Sequence, residues 1–168
     1  MDADTTKHKE NYGKILSSFA AREADVLIGT QMIVKGHDFP DVTLVGVLAA
    51  DLSLNASDYR AGERTFQILT QAVGRAGRKE KKGAAVIQTY QPEHYSIRAA
   101  ALQDYPAFFE EEIGYRELMN YPPAHQLLAI HAACQEEERL EQAMEYIRRF
   151  LLRFHGDTQV QLIGPARE

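Results

Sequence analysis

The sequence has little cysteine, no long apolar run and no excess of positive charge, and each absence narrows what the chain can be. Its single cysteine, Cys134, excludes an internal disulfide and a cysteine-rich zinc site, and we expect it to pack as a small buried residue. No apolar run is long enough to span a bilayer, and the composition of the first residues does not fit a signal peptide. These features predict a soluble protein of the reducing cytoplasm.

The net charge of the 168 residues is −5, which argues against a protein whose whole surface coats nucleic acid. The charge is uneven, however, because five basic residues and one acidic residue lie between positions 75 and 82. Such a local stripe can bind phosphate groups while the rest of the surface stays acidic. A basic loop that is merely solvated is the alternative.

The first half of the chain alternates between helical and strand-like patterns. Apolar periodicity predicts helices over 10–22 and 58–74, and continuous apolar runs predict strands over 25–29, 43–50 and 83–90. Strands that are apolar throughout are typical of a parallel sheet covered by helices. We therefore expect an α/β domain over residues 1–92.

The rhythm changes after this domain. Helices are predicted over 93–102 and 104–119, with a break at Tyr121–Pro123, so that 93–123 forms a helical connector. A strand over 126–134, a helix over 138–154 and a strand over 160–163 predict the start of an α+β domain at 124–168. The apolar stripe of the 138–154 helix is expected to be core. His125 and His131, which lie in an apolar setting, are expected to be core histidines rather than ligands.

The most informative motif is the segment Gln71-Ala-Val-Gly-Arg-Ala-Gly-Arg78. Arg75 and Arg78 are three residues apart and therefore point to one side of a helix or of its frayed end. Gly74 and Gly77 remove neighbouring side chains, so that a bulky anion can approach closely. A guanidinium suits phosphate oxygens better than an ammonium does. The alternative is a solvated basic turn that closes a helix.

A second motif, Gly29–Pro40, follows the first predicted strand directly. In open α/β sheets, ligands bind outside the carboxyl ends of the strands, where this loop is expected to lie. Thr30 offers a hydroxyl at a predicted helix start, Gly36 allows close approach of the backbone, and Asp38 offers a carboxylate to a ribose hydroxyl. Thr30 as an ordinary N-cap and Asp38 as a turn former are the alternatives.

These two motifs resemble motif V and motif VI of the second RecA-like lobe of superfamily 2 helicases. Together with Asp2–Thr6, Gly29–Leu44 and Asp58–Arg64, they are very similar to the PriA-type family of primosomal replication-restart DNA helicases. The resemblance covers essentially the whole chain. It implies an incomplete RecA-like parallel sheet with flanking helices, followed by a partial α+β C-terminal domain.

The resemblance also implies roles for individual residues. Contacts with the phosphate backbone of single-stranded DNA would be made by Thr30, Gln31 and Lys35. The ribose and phosphates of the nucleotide would lie near Gly36 and Asp38. The γ-phosphate would be faced by Gln71, Arg75 and Arg78, with Arg78 as the arginine finger. No metal ligand is predicted in this chain.

By the same resemblance, the intact enzyme is an ATP-dependent helicase that acts on single-stranded and forked DNA with primosome and replication-restart proteins. The chain has neither Gly-x-x-x-x-Gly-Lys-Ser/Thr nor Asp-Glu-x-His, so ATP and Mg²⁺ would be bound mainly by the first lobe. The family's zinc-binding cysteines would lie before residue 1. We therefore expect the chain to be a fragment that is inactive alone. Absent strands would leave an open sheet edge, which predicts self-association.

Two other classes stay open at the level of sequence. One is a non-catalytic nucleic-acid-binding or scaffold module that kept a helicase-like fold. The other is an RNA or DNA-repair helicase of the same superfamily. Phosphate-binding and acidic motifs upstream of this chain would indicate a motor, and their absence would indicate a scaffold.

Overall fold

The computed structural model of the chain describes residues 9–30, 39–77, 83–154 and 160–166. The chain divides into two compact units, Met1–Gln126 and Leu127–Glu168. In the first unit, the described helices and strands are α1 (Lys9–Ala20), β1 (Leu44–Val47), α2 (Asp51–Leu54), α3 (Ala61–Val73), β2 (Ala84–Ile87), α4 (Tyr95–Leu102) and α5 (Tyr105–Leu118). The second unit contains α6 (Glu137–Phe154).

β1 and β2 form a two-stranded parallel sheet, in which Leu44 lies opposite Ala84 and Val47 lies opposite Ile87. A parallel pair needs a crossover connection, and α2 and α3 provide it. α3 packs against both strands and against α4. The predicted α/β architecture, a parallel sheet with flanking helices, is therefore confirmed.

The predicted helices form close to their expected bounds. α3 begins at Ala61 rather than near residue 58, because the Asp58 side chain first closes a turn. Its Oδ1 accepts the backbone N–H of Arg60 at 3.0 Å, a local bond that competes with the helical pattern. The short helix α2, which begins at Asp51, was not predicted.

The core of the first unit lies between α3 and the two connector helices. Phe66, Leu69 and Ala72, which lie on one side of α3, are buried. The rings of Phe66 and Phe108 stack with centroids 4.1 Å apart, joining α3 to α5. The buried apolar cluster consists of Ala50, Phe66, Leu69, Ile97, Ala99, Ala100 and Phe108.

The expectation that the strands are buried on both faces is wrong for the described sheet. Leu44 is 62% exposed and Val86 is 59% exposed, whereas Val47 and Ile87 pack against the core. Successive residues of a strand point to opposite faces, and the described helices cover only one of them. The sheet therefore presents one apolar face that the described residues leave uncovered.

The strands predicted over 25–29, 126–134 and 160–163 are not formed among the described residues. Val26, Leu128 and Ile163 are each more than two-thirds exposed. An apolar run indicates that a segment can be buried, but a strand forms only where a neighbouring strand completes the hydrogen-bonded ladder. In the second unit, the described residues therefore carry α6 and no strand.

Three further expectations of burial are also wrong, for the same reason. Cys134 and His131 are exposed, because 126–134 does not pack as a central strand, and His125, just before this segment, is exposed too. No described side chain of the apolar stripe of α6 is fully buried: Leu140, Met144, Ile147 and Leu151 are partly buried, and Phe150 is 50% exposed. Within the described part of its unit, no second helix or strand covers this stripe.

No helix in the described part of the chain has the length and apolar character needed to cross a membrane. The predicted domain boundaries at 92/93 and 123/124 stay predictions.

Candidate functional site

Two of the residues predicted to face a γ-phosphate lie where α3 ends. Gln71 is exposed in the last turn of the helix. Arg75, two residues after the end of the helix, is half-buried. Gly74 caps the helix, its N–H bonded to the Thr70 carbonyl at 3.0 Å, and the Arg75 N–H bonds to the carbonyl of Ala72 at 3.0 Å. The helix thus ends in a tight turn that fixes the backbone of Arg75 relative to Gln71.

The turn after Arg75 contacts the residues that precede the two strands. The N–H of Gly77 donates to the carbonyl of Val42, two residues before β1, at 3.1 Å. Gly77 has φ +72°, a left-handed conformation that favours glycine. A Cβ on Gly83 would lie 2.2 Å from the Gly77 nitrogen, so both glycines are required for this close approach. Arg78 itself lies outside the described residues.

The predicted DNA- and nucleotide-contacting loop is described only at its two ends. Thr30 is exposed, and the residues that would form the helix predicted to start there lie outside the described residues. Gln31, Lys35, Gly36 and Asp38 lie outside the described residues. Because the strand before Thr30 is not formed, its predicted position at the carboxyl end of a strand has no structural counterpart here.

The first described residues after this gap, from Phe39 onward, contact α1. The rings of Phe39 and Phe19 pack edge to face with centroids 5.0 Å apart. The Arg22 guanidinium donates to the Asp41 carboxylate at 2.7 Å, and both side chains are largely exposed. This hydrogen bond and the charge of Asp41 raise the pKa of Arg22, against a small opposing effect of desolvation. These contacts hold the residues before β1 beside the end of α1.

A groove of about 450 Å³ runs along α3 on the side that carries Gln71. Glu63, Gln67 and Gln71, spaced four residues apart, line it together, and Gln67 Nε2 donates to Glu63 Oε1 at 3.1 Å. The opposite wall comes from α5. The aromatic lining residues are Phe66, Tyr105, Phe108 and Phe109. No sequence pattern predicts this groove.

The end of the groove away from Gln71 holds an ion-pair cluster, which we call the Arg116 cluster and define as Glu63, Glu112 and Arg116. Arg116 Nε donates to Glu112 Oε1 at 2.7 Å, and its Nη2 donates to Glu63 Oε2 at 2.8 Å. Its Nη1 donates to the carbonyl of Pro122 at 2.8 Å. Burial lowers the pKa of Arg116, but its hydrogen bonds and the two carboxylate charges outweigh burial and raise it. The guanidinium is therefore permanently charged and committed to three acceptors.

A second polar contact lies at the carboxyl ends of the two strands. Asp51 follows β1, and its Oδ1 accepts from the Thr89 hydroxyl at 2.7 Å while its Oδ2 accepts from the Tyr90 N–H at 3.0 Å. These two hydrogen bonds hold the pKa of Asp51 below its usual range, against the opposing effect of burial. Asp51 therefore ties the chain after β1 to the chain after β2.

The end of α3 carries side chains that could bind an anion. An amide at Gln71 and a guanidinium at Arg75 are donors suited to phosphate oxygens. Within residues 9–30, 39–77, 83–154 and 160–166, no group of three or more His, Cys, Asp or Glu side chains is placed to hold a metal ion.

The sequence does not predict the Arg116 cluster or the contacts of Asp51. Only the Glu112–Arg116 spacing of four residues is a local signal, and it is too common on helices to single out a site. The contacts that give both groups their importance join residues 53 and 38 positions apart.

The sequence of this chain is similar to a family model and to several known proteins. Residues 1–80 match the model of the helicase conserved C-terminal domain, a span that includes every predicted site residue from Thr30 to Arg78. The chain is 46% identical over 166 residues to replication restart protein PriA of Bacillus subtilis, and 43% identical over 166 residues to that of Synechocystis. It is 37% identical over 166 residues to that of Rickettsia felis.

These alignments cover 99% of this chain but 20%, 20% and 25% of the respective relatives, so the chain spans about a fifth to a quarter of their length. The described sheet is parallel, and the identity extends along nearly the whole chain. The chain therefore belongs to the PriA-type replication restart family, as a segment whose residues 1–80 match the helicase conserved C-terminal domain.

Proposed function

We propose that this chain is part of an ATP-dependent DNA helicase that acts in replication restart. The observation that carries the proposal is the end of α3, where an exposed Gln71 and a backbone-fixed Arg75 stand immediately before Arg78. The family match over residues 1–80 and the replication restart proteins among its relatives support it.

In this proposal, Gln71, Arg75 and Arg78 act on the γ-phosphate of ATP that is bound mainly by another part of the protein. Arg78 is the arginine finger, which stabilises the charge that spreads over the phosphate oxygens in the transition state. Arg75 and Gln71 orient the same group by hydrogen bonding. Gly36 and Asp38 lie near the ribose and phosphates of the nucleotide.

The proposed DNA contacts come from the segment that begins at Thr30. Thr30, Gln31 and Lys35 bind the phosphate backbone of single-stranded DNA, which requires donors and positive charge but no reading of base edges. Opening and closing of the nucleotide cleft then moves this segment along the strand. Forked DNA and other replication-restart and primosome proteins are the proposed partners of the complete protein.

The donors present in this chain fit the phosphates of ATP, but they do not fit its metal ion. No candidate metal cluster occurs among the described residues, and residues 1–168 contain no Gly-x-x-x-x-Gly-Lys-Ser/Thr segment. Mg²⁺, which would neutralise charge on the phosphates, and the family's zinc are therefore proposed to be held outside this chain. We propose accordingly that residues 1–168 alone do not hydrolyse ATP.

The test is the steady-state ATPase activity of the complete protein with and without single-stranded DNA. We expect DNA to stimulate hydrolysis, and we expect Arg75→Ala and Arg78→Ala each to abolish the stimulation. Arg98→Ala is the matched control, because Arg98 is an exposed arginine on α4, outside the motif. Stimulation that persists in both motif variants would refute the proposal.

A further inference from the structure

Arg116 joins three separate parts of the first unit. Its guanidinium bonds to Glu112 within α5, to Glu63 in the first turn of α3, and to the Pro122 carbonyl beyond the end of α5. The Arg116 side chain is 11% exposed and that of Glu112 is 9% exposed. A lysine in this position could not serve the three acceptors together, because an ammonium lacks the planar fork.

Further contacts enclose the Arg116 cluster. Arg116 lies over the ring of Tyr59 at 5.4 Å, and that ring stacks on Tyr121 at 5.0 Å. The Tyr95 hydroxyl donates to Glu112 Oε2 at 2.7 Å, which brings α4 into the same network. Burial, followed by this hydrogen bond and the charge of Glu112, raises the pKa of Tyr95, so its hydroxyl stays a donor at neutral pH. The first turn of α3 is thus held by α4, α5 and the residues around Pro122.

The same helix connects the Arg116 cluster to the proposed phosphate-reading residues. Gln71 lies eight residues after Glu63, which is ~12 Å along a helix. Glu63, Gln67 and Gln71 line one groove. Between Glu63 and Gln71 in the sequence, Phe66 and Leu69 are buried and anchor the helix in the core. A close-packed helix moves as a rigid body, so a shift at its first turn is carried to its last turn.

We propose that Glu63 and Arg116 are positioning residues that set the placement of α3, and through it the approach of Gln71 and Arg75 to the γ-phosphate. The inference rests on the proposed function. It assigns the helical connector a part in ATP hydrolysis, although Arg116 is remote in sequence from the phosphate-reading motif.

The test uses Glu63→Gln and Arg116→Lys in the complete protein, assayed for DNA-stimulated ATP hydrolysis. Each variant keeps a hydrogen-bonding group of similar size but removes the charge or the fork that holds α3. We expect kcat to fall about tenfold in each, because small misplacements of transition-state groups are costly in rate. KM for ATP should change less than about twofold, since ground-state binding lies mainly elsewhere.

Two further measurements separate positioning from general destabilisation. The thermal unfolding midpoint of Glu63→Gln should stay within about 2 °C of the parent protein, because Glu63 is partly exposed and glutamine keeps an acceptor. The double variant should lose no more kcat than the worse single variant, since both act through one contact. Arg64→Lys is the control, an adjacent α3 residue that pairs with Asp58 at 2.8 Å.

Unchanged kcat in both single variants would overturn the inference. It would also be overturned if kcat fell only in proportion to a lowered unfolding midpoint, or if Arg64→Lys lost as much activity. If Arg78→Ala abolishes stimulation while Glu63→Gln and Arg116→Lys do not alter it, this inference alone fails. If Arg78→Ala also has no effect, the proposed function itself is wrong.

Discussion

Gly62 is the residue at which the packing around the Arg116 cluster leaves least room. A Cβ added there would lie 2.6 Å from the Tyr95 hydroxyl oxygen and 3.0 Å from Glu112 Oε2. The Tyr95 ring is rigid and hydrogen-bonded, so it cannot turn aside without breaking its bond to Glu112. We predict that Gly62→Ala destabilises the chain by about 1–3 kcal/mol, a typical cost of overpacking, as measured by urea denaturation.

Gly114 provides the control at this scale. It lies inside α5 with nothing within 4 Å of an added Cβ. Gly114→Ala should therefore stabilise the chain by about 0.5–1 kcal/mol, the ordinary gain of alanine over glycine within a helix. Equal effects of the two substitutions would contradict the packing described for Gly62.

The sequence predicted single residues well where their signal is local. Gln71 and Arg75 stand out because glycine and arginine recur at a spacing that suits an anion, and the structure places both where α3 ends. Arg116 carries no such signal, since its position depends on Glu63, 53 residues away. The assignment of the site residues to DNA and nucleotide stays a prediction.

At the scale of the elements, the Asp51 side chain links the segment that follows β1 to the segment that follows β2, through hydrogen bonds. Its folded-state pKa is lowered by the hydrogen bonds from Thr89 and Tyr90. A carboxyl group of this kind contributes stability above its unfolded pKa of about 4, and the contribution is lost as pH falls through the folded pKa. We predict that Asp51→Asn lowers the thermal unfolding midpoint at pH 7.

The difference in midpoint between Asp51→Asn and the parent should shrink as pH falls below about 4, because the parent then also loses the carboxylate. Calorimetry or circular dichroism across pH 3–7 measures it. A difference that is constant over this range would show that the charge of Asp51 does not act through these hydrogen bonds.

Sequence patterns predict the helices of this chain but not all of its strands. Helical periodicity predicted α1 and the helices from α3 to α6, because amphipathic spacing is a property of the segment itself. Apolar runs at 44–47 and 26–29 look alike, yet only the former forms a strand in the described structure. Strand formation depends on a neighbour that the run does not specify.

For the molecule as a whole, the exposed sheet predicts self-association. The two described strands present an apolar face that includes Leu44 and Val86. No other described strand pairs with the outer edges of this sheet, to which another chain could add. We predict that the molar mass of residues 1–168, measured by light scattering, rises with concentration. Val86→Lys should reduce the rise, because a charge on this strand opposes pairing.

Leu118→Lys is the control for this prediction, since Leu118 is 76% exposed on α5, away from the sheet. A monomer at every concentration, or an equal effect of both lysine substitutions, would contradict association through the sheet. At this scale the sequence predicted the α/β architecture of the first unit. It did not predict that one face of the sheet is exposed, because burial depends on what covers a face.

The proposed function depends above all on Arg78, which follows α3 in the sequence and is proposed to stabilise the transferring γ-phosphoryl group. The decisive measurement is single-turnover hydrolysis of saturating ATP by the complete protein with single-stranded DNA, together with equilibrium binding of ATP. Arg78→Ala should slow the single-turnover rate by ~10³-fold or more and leave ATP affinity nearly unchanged. An unaltered single-turnover rate, or a loss that reflects weaker ATP binding alone, would refute the role proposed for Arg78.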